Sequence, residues 1–169
     1  AEEQLGDAHA LDNNIVAMAH PDGMSSLLSG SVECHLTTSP YVYKEAAEEG
    51  IHEVEALESV WPDGNSFILM MASTDLYEND PELYQAVLSA LEEAITWINE
   101  NKEEAAEMLC EAEDVDAATM LEWLNDPACV YSTETKGVMD MANFMAENDF
   151  LENEGPSSMS DLAFDNVVG

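Results

Sequence analysis

Arginine is absent from this 169-residue chain, and only three lysines, Lys44, Lys102 and Lys136, stand against 37 acidic residues. The formal net charge is −34. Phosphate recognition needs clustered basic side chains, so nucleic acid and anionic membrane surfaces are excluded as partners. No run of about 20 apolar residues occurs, so nothing in the pattern is expected to insert into a bilayer. A basic-then-apolar leader is also missing at the start, and an exported protein of this sequence would have to carry its signal outside this chain. The three cysteines, Cys34, Cys110 and Cys129, make no CxxC pair and read as small buried side chains rather than a disulfide with one free thiol. His9, His20, His35 and His52 fall in no HxxxH or HExxH spacing, and the alternating ligands of a calcium-binding EF-hand loop are missing. No metal and no cofactor is therefore expected.

What is present is enough apolar residue for a core: 46% hydrophobic, 7% aromatic. That composition belongs to a globular protein rather than a disordered one. A salt-rich habitat is the simplest reading of the acidity, with an ordinary acidic secreted protein as the alternative. Runs such as Glu45, Glu48, Glu49 and Glu100, Glu103, Glu104, Glu107 read as solvated helix faces. Acidic pairs are so frequent that none of them singles out a site for acid-base chemistry.

The chain is organised around Gly30 to Tyr41. Before it, Pro21 to Ser29 reads as a short amphipathic helix started by Pro21 or Asp22 and stopped by Gly30. Val32, Cys34 and Leu36 alternate with Glu33, His35 and Thr37, the two-residue period of a strand. Ile15 to Ala19, Ile51 to Leu57 and Phe67 to Ala72 read as further strands, and the tight strand-helix-strand order up to Leu36 implies parallel pairing. From Thr74 the period becomes helical. Asp80 and Pro81 open a helix carrying Leu83, Val87, Leu88, Leu91, Ile95 and Ile98, and three more follow over 101–111, 115–125 and 136–148. The expected fold class is thus α/β, a mainly parallel sheet followed by a C-terminal run of helices.

In that frame His20 and Asp22 precede the first helix, while Thr37, Thr38 and Ser39 end a strand at the sheet edge where open α/β folds bind ligands. Ser39 has neither a GxSxG elbow nor a lysine three residues on, so the loop is better suited to donating hydrogen bonds than to nucleophilic attack. Tyr41, Tyr43 and Trp61 would supply an aromatic wall, or packing for a core or hinge.

The order "PDGMSSLLSGSVECHLTTSPY", then "NSFILMMASTDLYENDPELYQAVLSALEEAITWINENKEEAAEML" and "VYSTETKGVMDMANFMAENDFL", resembles the C-terminal half of periplasmic solute-binding proteins. The likeness is to the nitrate, sulfonate, taurine and thiamine-pyrimidine group that serves ABC importers. It implies a type II periplasmic-binding-protein fold, here an incomplete two-lobed one. Residues 1–55 would be the remainder of the second lobe with its cleft-edge loops, and 56–169 the return crossing and the helical part of the first lobe. It implies a non-enzymatic, extracytoplasmic binder of a small polar or anionic solute (a sulfonate, nitrate, a pyrimidine or similar) that delivers to a membrane permease. His20, Asp22, Thr37, Thr38, Ser39, Asn65 and Ser66 are the expected ligand-binding residues. The alternatives are an enzyme resembling the thiamine-pyrimidine synthases, or an inactive fragment that needs its other half.

Self-repulsion at this charge density is large in dilute buffer and weak at about 1 M salt, where the Debye length falls to roughly 3 Å. The thermal unfolding midpoint, followed by circular dichroism, is therefore expected to rise as sodium chloride is raised toward that concentration.

Overall fold

Ala105 and Ala106 are small enough to let a neighbouring helix approach closely, and the chain around them is built to supply one. They lie in α6 (Lys102–Glu113), which ends at Asp114 in the left-handed conformation (φ 55°). Asp116 then accepts a hydrogen bond from the Thr119 N–H at 2.8 Å and starts α7 (Ala117–Leu124). That bond holds the Asp116 carboxyl below the usual aspartate range. Met120 and Leu124, one turn apart, fall on the alanine pair to form a core cluster, with Ile98, Leu109, Val115, Leu121 and Trp123 packed around it. The Lys102 ammonium donates to the Leu124 carbonyl at 2.6 Å, placing a cation on the negative end of α7.

This arrangement comes from a computed structural model, which describes residues 1–54 and 65–168. The helices before α6 are α1 (Glu2–Leu5), α2 (His20–Leu28), α3 (Tyr41–Ala46), α4 (Thr74–Asn79) and α5 (Pro81–Glu100). Those after α7 are α8 (Val138–Glu147) and α9 (Asp165–Val168). Short 3-10 turns cover Asp12–Asn14 and Met159–Asp161. Ser73 caps α4 through the Leu76 N–H, and Asp80 caps α5 through the Leu83 N–H. Near the C-terminus Asp161 accepts from the Ser157 hydroxyl, which with the Ser157 and Ser158 N–H groups holds its carboxyl below the usual range. Phe164 then stacks on Tyr77 at 4.1 Å and meets Tyr84 edge-on, which fastens the terminal segment to α4 and α5.

The chain divides into two compact units. One comprises Ala1–Glu55 and Met145–Asn153, the other Ala56–Phe144 and Glu154–Gly169. The first holds α1 to α3 with the end of α8 and the segment after it. The second holds α4 to α7, most of α8 and α9.

The expected α/β fold with a mainly parallel sheet is not what forms. Among the described residues there is no strand and no sheet. Ile15 to Ala19, Val32 to Leu36 and Phe67 to Ala72 run without a ladder partner; Ile51 to Val54 does the same, and the remainder of that expected strand, 55–57, lies outside the described residues. A two-residue period states what a strand would bury if a second strand lay beside it, and here none does. After α2 the chain instead folds back on the helix end. The Ser31 and Val32 N–H groups donate to the Ser26 carbonyl, and Gly30 takes φ 73°. The pattern is also inverted: Leu36 is 75% exposed while His35, on the opposite phase, is turned inward. Phe67 to Met71, the most apolar run, is exposed throughout, Met71 by 90%. Cys34 is likewise exposed rather than buried; all three cysteines are free thiols, and Cys110 and Cys129 are half-buried.

Truncating Leu124, which is 2% exposed, is expected to cost about 2–5 kcal/mol. Truncating Leu36 should change stability by less than about 0.5 kcal/mol, since it is on the surface. Urea unfolding of Leu124→Ala and Leu36→Ala measures both, and the reverse ranking would restore the buried strand.

Candidate functional site

The first unit brings two histidines together because α2, the loop after it and α3 converge on one glycine. Gly23, buried in α2, leaves room for the His35 ring, and a Cβ at that position would collide with the ring atoms of His35. His35 Nδ1 is 2.7 Å from Glu45 Oε1, with the two side chains only 9% and 5% exposed. The pair needs the imidazole Nδ1 as donor, because the carboxylate oxygen can only accept. Glu45 reaches it from α3, where Tyr41 stands four residues before Glu45 and three before Lys44.

His20, in the first turn of α2, joins the cluster from the other side. Its Nδ1 lies 3.1 Å from the Thr37 hydroxyl, its ring centroid is 5.7 Å from that of His35, and its ring stacks on Tyr41 at 5.6 Å. The Lys44 ammonium stands over the Tyr41 ring at 5.7 Å. Thr38 contributes its carbonyl to the Val42 N–H at the start of α3, and the following Ser39–Pro40 bond is cis. Asp22 and Ser39 are exposed at the margins of this cluster.

Of the seven residues expected from the sequence, the structure therefore brings His20 and Thr37 into direct contact. Asn65 and Ser66 belong to the other unit and are engaged there. The Ser66 N–H donates to the Lys136 carbonyl, its hydroxyl donates to the Glu134 carbonyl and accepts from the Lys136 N–H. Asn65 fills the space above Gly137, whose φ is 75°. Both residues thus clasp the turn before α8, with Lys136 also paired to Glu134. Trp61 lies outside the described residues.

The sequence pattern does not single out His35 and Glu45 as a pair, and it reads Glu45 as part of a solvated acidic face with Glu48 and Glu49. The available signal was the four-residue step from Tyr41 to Glu45, which puts the carboxylate beside an aromatic ring on one side of α3. Chemically the cluster offers imidazole, hydroxyl and phenol groups for hydrogen bonding and an aromatic face for stacking. In the second unit burial, aided by Asp126, pushes the Cys129 thiol up, and burial raises the Tyr131 phenol. A shallow groove on α5, lined by Ser89, Glu92, Glu93, Thr96, Trp97 and Glu100, is acidic along its length. Among the described residues no three His, Cys, Asp or Glu side chains are grouped to hold a metal ion, and no helix is long and apolar enough to cross a membrane.

A model of the NMT1-like family matches residues 5–112, more than half of the 169-residue chain and all of the His20–Glu45 cluster. No curated protein and no solved structure matches the chain.

Gly23→Ala is expected to displace His35 and separate it from Glu45, at a cost of about 1–3 kcal/mol for overpacking. Equilibrium denaturation of Gly23→Ala measures this cost, and because Gly23 lies within α2 without a positive φ, a loss of stability reports the clash with His35 rather than backbone strain.

Proposed function

The chain belongs to the NMT1-like family, and from that premise we propose that it is the solute-binding component of an importer. In this reading it works outside the cytoplasm, captures a small polar solute and passes it to an ABC permease in the membrane, without chemical turnover. What supports the reading, beside the family, is the contact between His20 and Thr37. It places a helix start, a hydroxyl-rich loop and the Tyr41 ring around one spot. Such a spot recognises a solute through a few directed hydrogen bonds and one stacking face.

The chemistry of the residues narrows the solute class. With no arginine in the chain and Lys44 the one basic side chain in the cluster, bidentate anion recognition is not offered. A planar heterocycle such as a pyrimidine suits the stacked His20 and Tyr41 rings better than nitrate or a sulfonate does. Thr37, Thr38 and Ser39 would hydrogen-bond to its polar edge, and Asp22 would take a donor or amine. Asn65 and Ser66 are better placed as support for the turn before α8 than as ligand contacts.

Titration calorimetry against pyrimidines, taurine, alkanesulfonates and nitrate tests this directly. Binding of a pyrimidine, weakened about tenfold by Thr37→Val through loss of one hydrogen bond of roughly 1.4 kcal/mol, is the expected result. Binding that is indifferent to both Thr37→Val and His20→Ala would move the site elsewhere, and conversion of the ligand would make the protein an enzyme.

A further inference from the structure

His9 lies outside the cluster described above and is held from both sides of its ring. Nδ1 is 2.7 Å from Asp12 Oδ2, and Nε2 is 2.6 Å from the Asn148 carbonyl oxygen, 139 residues away in sequence. The ring also packs on Phe150, with centroids 4.3 Å apart. A carboxylate oxygen and a backbone carbonyl are both acceptors, so each ring nitrogen must carry a proton for both contacts to be hydrogen bonds. Neutral imidazole has one N–H. It would keep one bond and turn a lone pair toward the other acceptor.

The far partner is part of a shaped turn. After α8 the chain passes through Asp149 at φ 59°, and the Phe150 N–H donates back to the Met145 carbonyl at 2.9 Å. This turn presents the Asn148 carbonyl, at the negative end of α8, together with the Phe150 ring. Met145–Asn153 is the segment that joins Ala1–Glu55 in the first unit.

We propose that protonated His9 is a latch that fastens residues 145–153 to the N-terminal segment, and that the latch opens when the imidazole loses its second proton. The charged groups around it act in one direction. Asp12 and Asp7 face the ring from the N-terminal segment, and from the other side comes the Asn148 carbonyl, whose sequence neighbours Glu147 and Asp149 are exposed. Among the described residues no lysine figures in what shifts His9. The Asp12 hydrogen bond, followed by the one to the Asn148 carbonyl, raises His9 above the ordinary histidine value of 6.5. A group raised on folding contributes stability fully below its unfolded value and loses it as pH rises through the folded one. The latch is therefore closed in mild acid and opens on the alkaline side of 6.5.

The test is hydrogen exchange at the Phe150 amide in the whole chain, corrected for intrinsic rate, alongside nitrogen NMR of the His9 ring. Protection of Phe150 should fall about threefold to tenfold across the His9 titration, with the same midpoint. Asp12→Asn should lower both midpoints together. His9→Phe keeps the stacking on Phe150 but has no donors, and should show low protection that no longer follows pH between 6 and 8. Protection that stays constant while His9 titrates, or a pH response that survives in His9→Phe, would overturn the proposal.

Discussion

With 37 carboxylates and three lysines, most acidic side chains in this protein have no cation to meet, and the backbone N–H group becomes their main donor. Asp80, Asp116 and Asp126 each accept from an N–H two or three residues on, and Asp161 gathers two N–H groups and a hydroxyl. These bonds sit at helix starts and tight turns, where unpaired N–H groups are available and negative charge is favoured. The three lysines are correspondingly committed: Lys102 to a helix C-terminus, Lys136 to Glu134, and Lys44 over an aromatic ring. Charge scarcity of one sign thus decides which local structures are reinforced. The N-termini of α4, α5 and α7 are capped by a side chain while those of α1, α2, α3 and α6 are not, and among the described residues no helix apart from α3 carries a basic residue in its last turn.

The same constraint explains how much of the fold could be read from residues alone. The start at Asp80 and Pro81 was legible because its signal is local and acts within one turn, whereas the cap at Asp116 lies one residue inside the helix expected from residue 115. The sheet was not legible because a strand is completed by a partner that no local pattern specifies. Phe67 to Ala72 has the composition of a central strand, yet it joins no strand ladder among the described residues, and Phe67 to Met71 are exposed. Val32 to Leu36 fails for a different reason. Gly30 turns the chain back on α2, so N–H groups that a ladder would use are taken by the helix end. The core that does form is correspondingly small, two alanines with Met120 and Leu124, and its closeness depends on residues with almost no side chain.

The candidate site was half legible. His20 and Thr37 were placed at neighbouring turns on the argument that strand ends gather ligands. They do meet, although α2 and a loop bring them together rather than a sheet edge. His35 and Glu45 were invisible because each was assigned by its neighbours, the histidine to a strand face and the glutamate to an acidic run. Only the gap left by Gly23, which depends on three segments at once, reveals them as a buried pair.

Histidine then acquires a particular weight in a chain so short of positive charge. A protonated imidazole is the one further side-chain cation this sequence can offer, and two of the four histidines sit within 2.7 Å of a carboxylate. Their surroundings separate them into different roles. His35 is enclosed by α2 and α3, where loss of Glu45 would strand a buried donor, so its contact specifies packing. His9 is open to solvent, and its two acceptors come from distant parts of the chain, so its contact specifies a connection that protons can make or break. In a protein with ordinary basic content a lysine or arginine would make such long-range ties permanently. Here the tie falls to a side chain whose charge is conditional, which makes the joining of residues 145–153 to the N-terminal segment depend on pH.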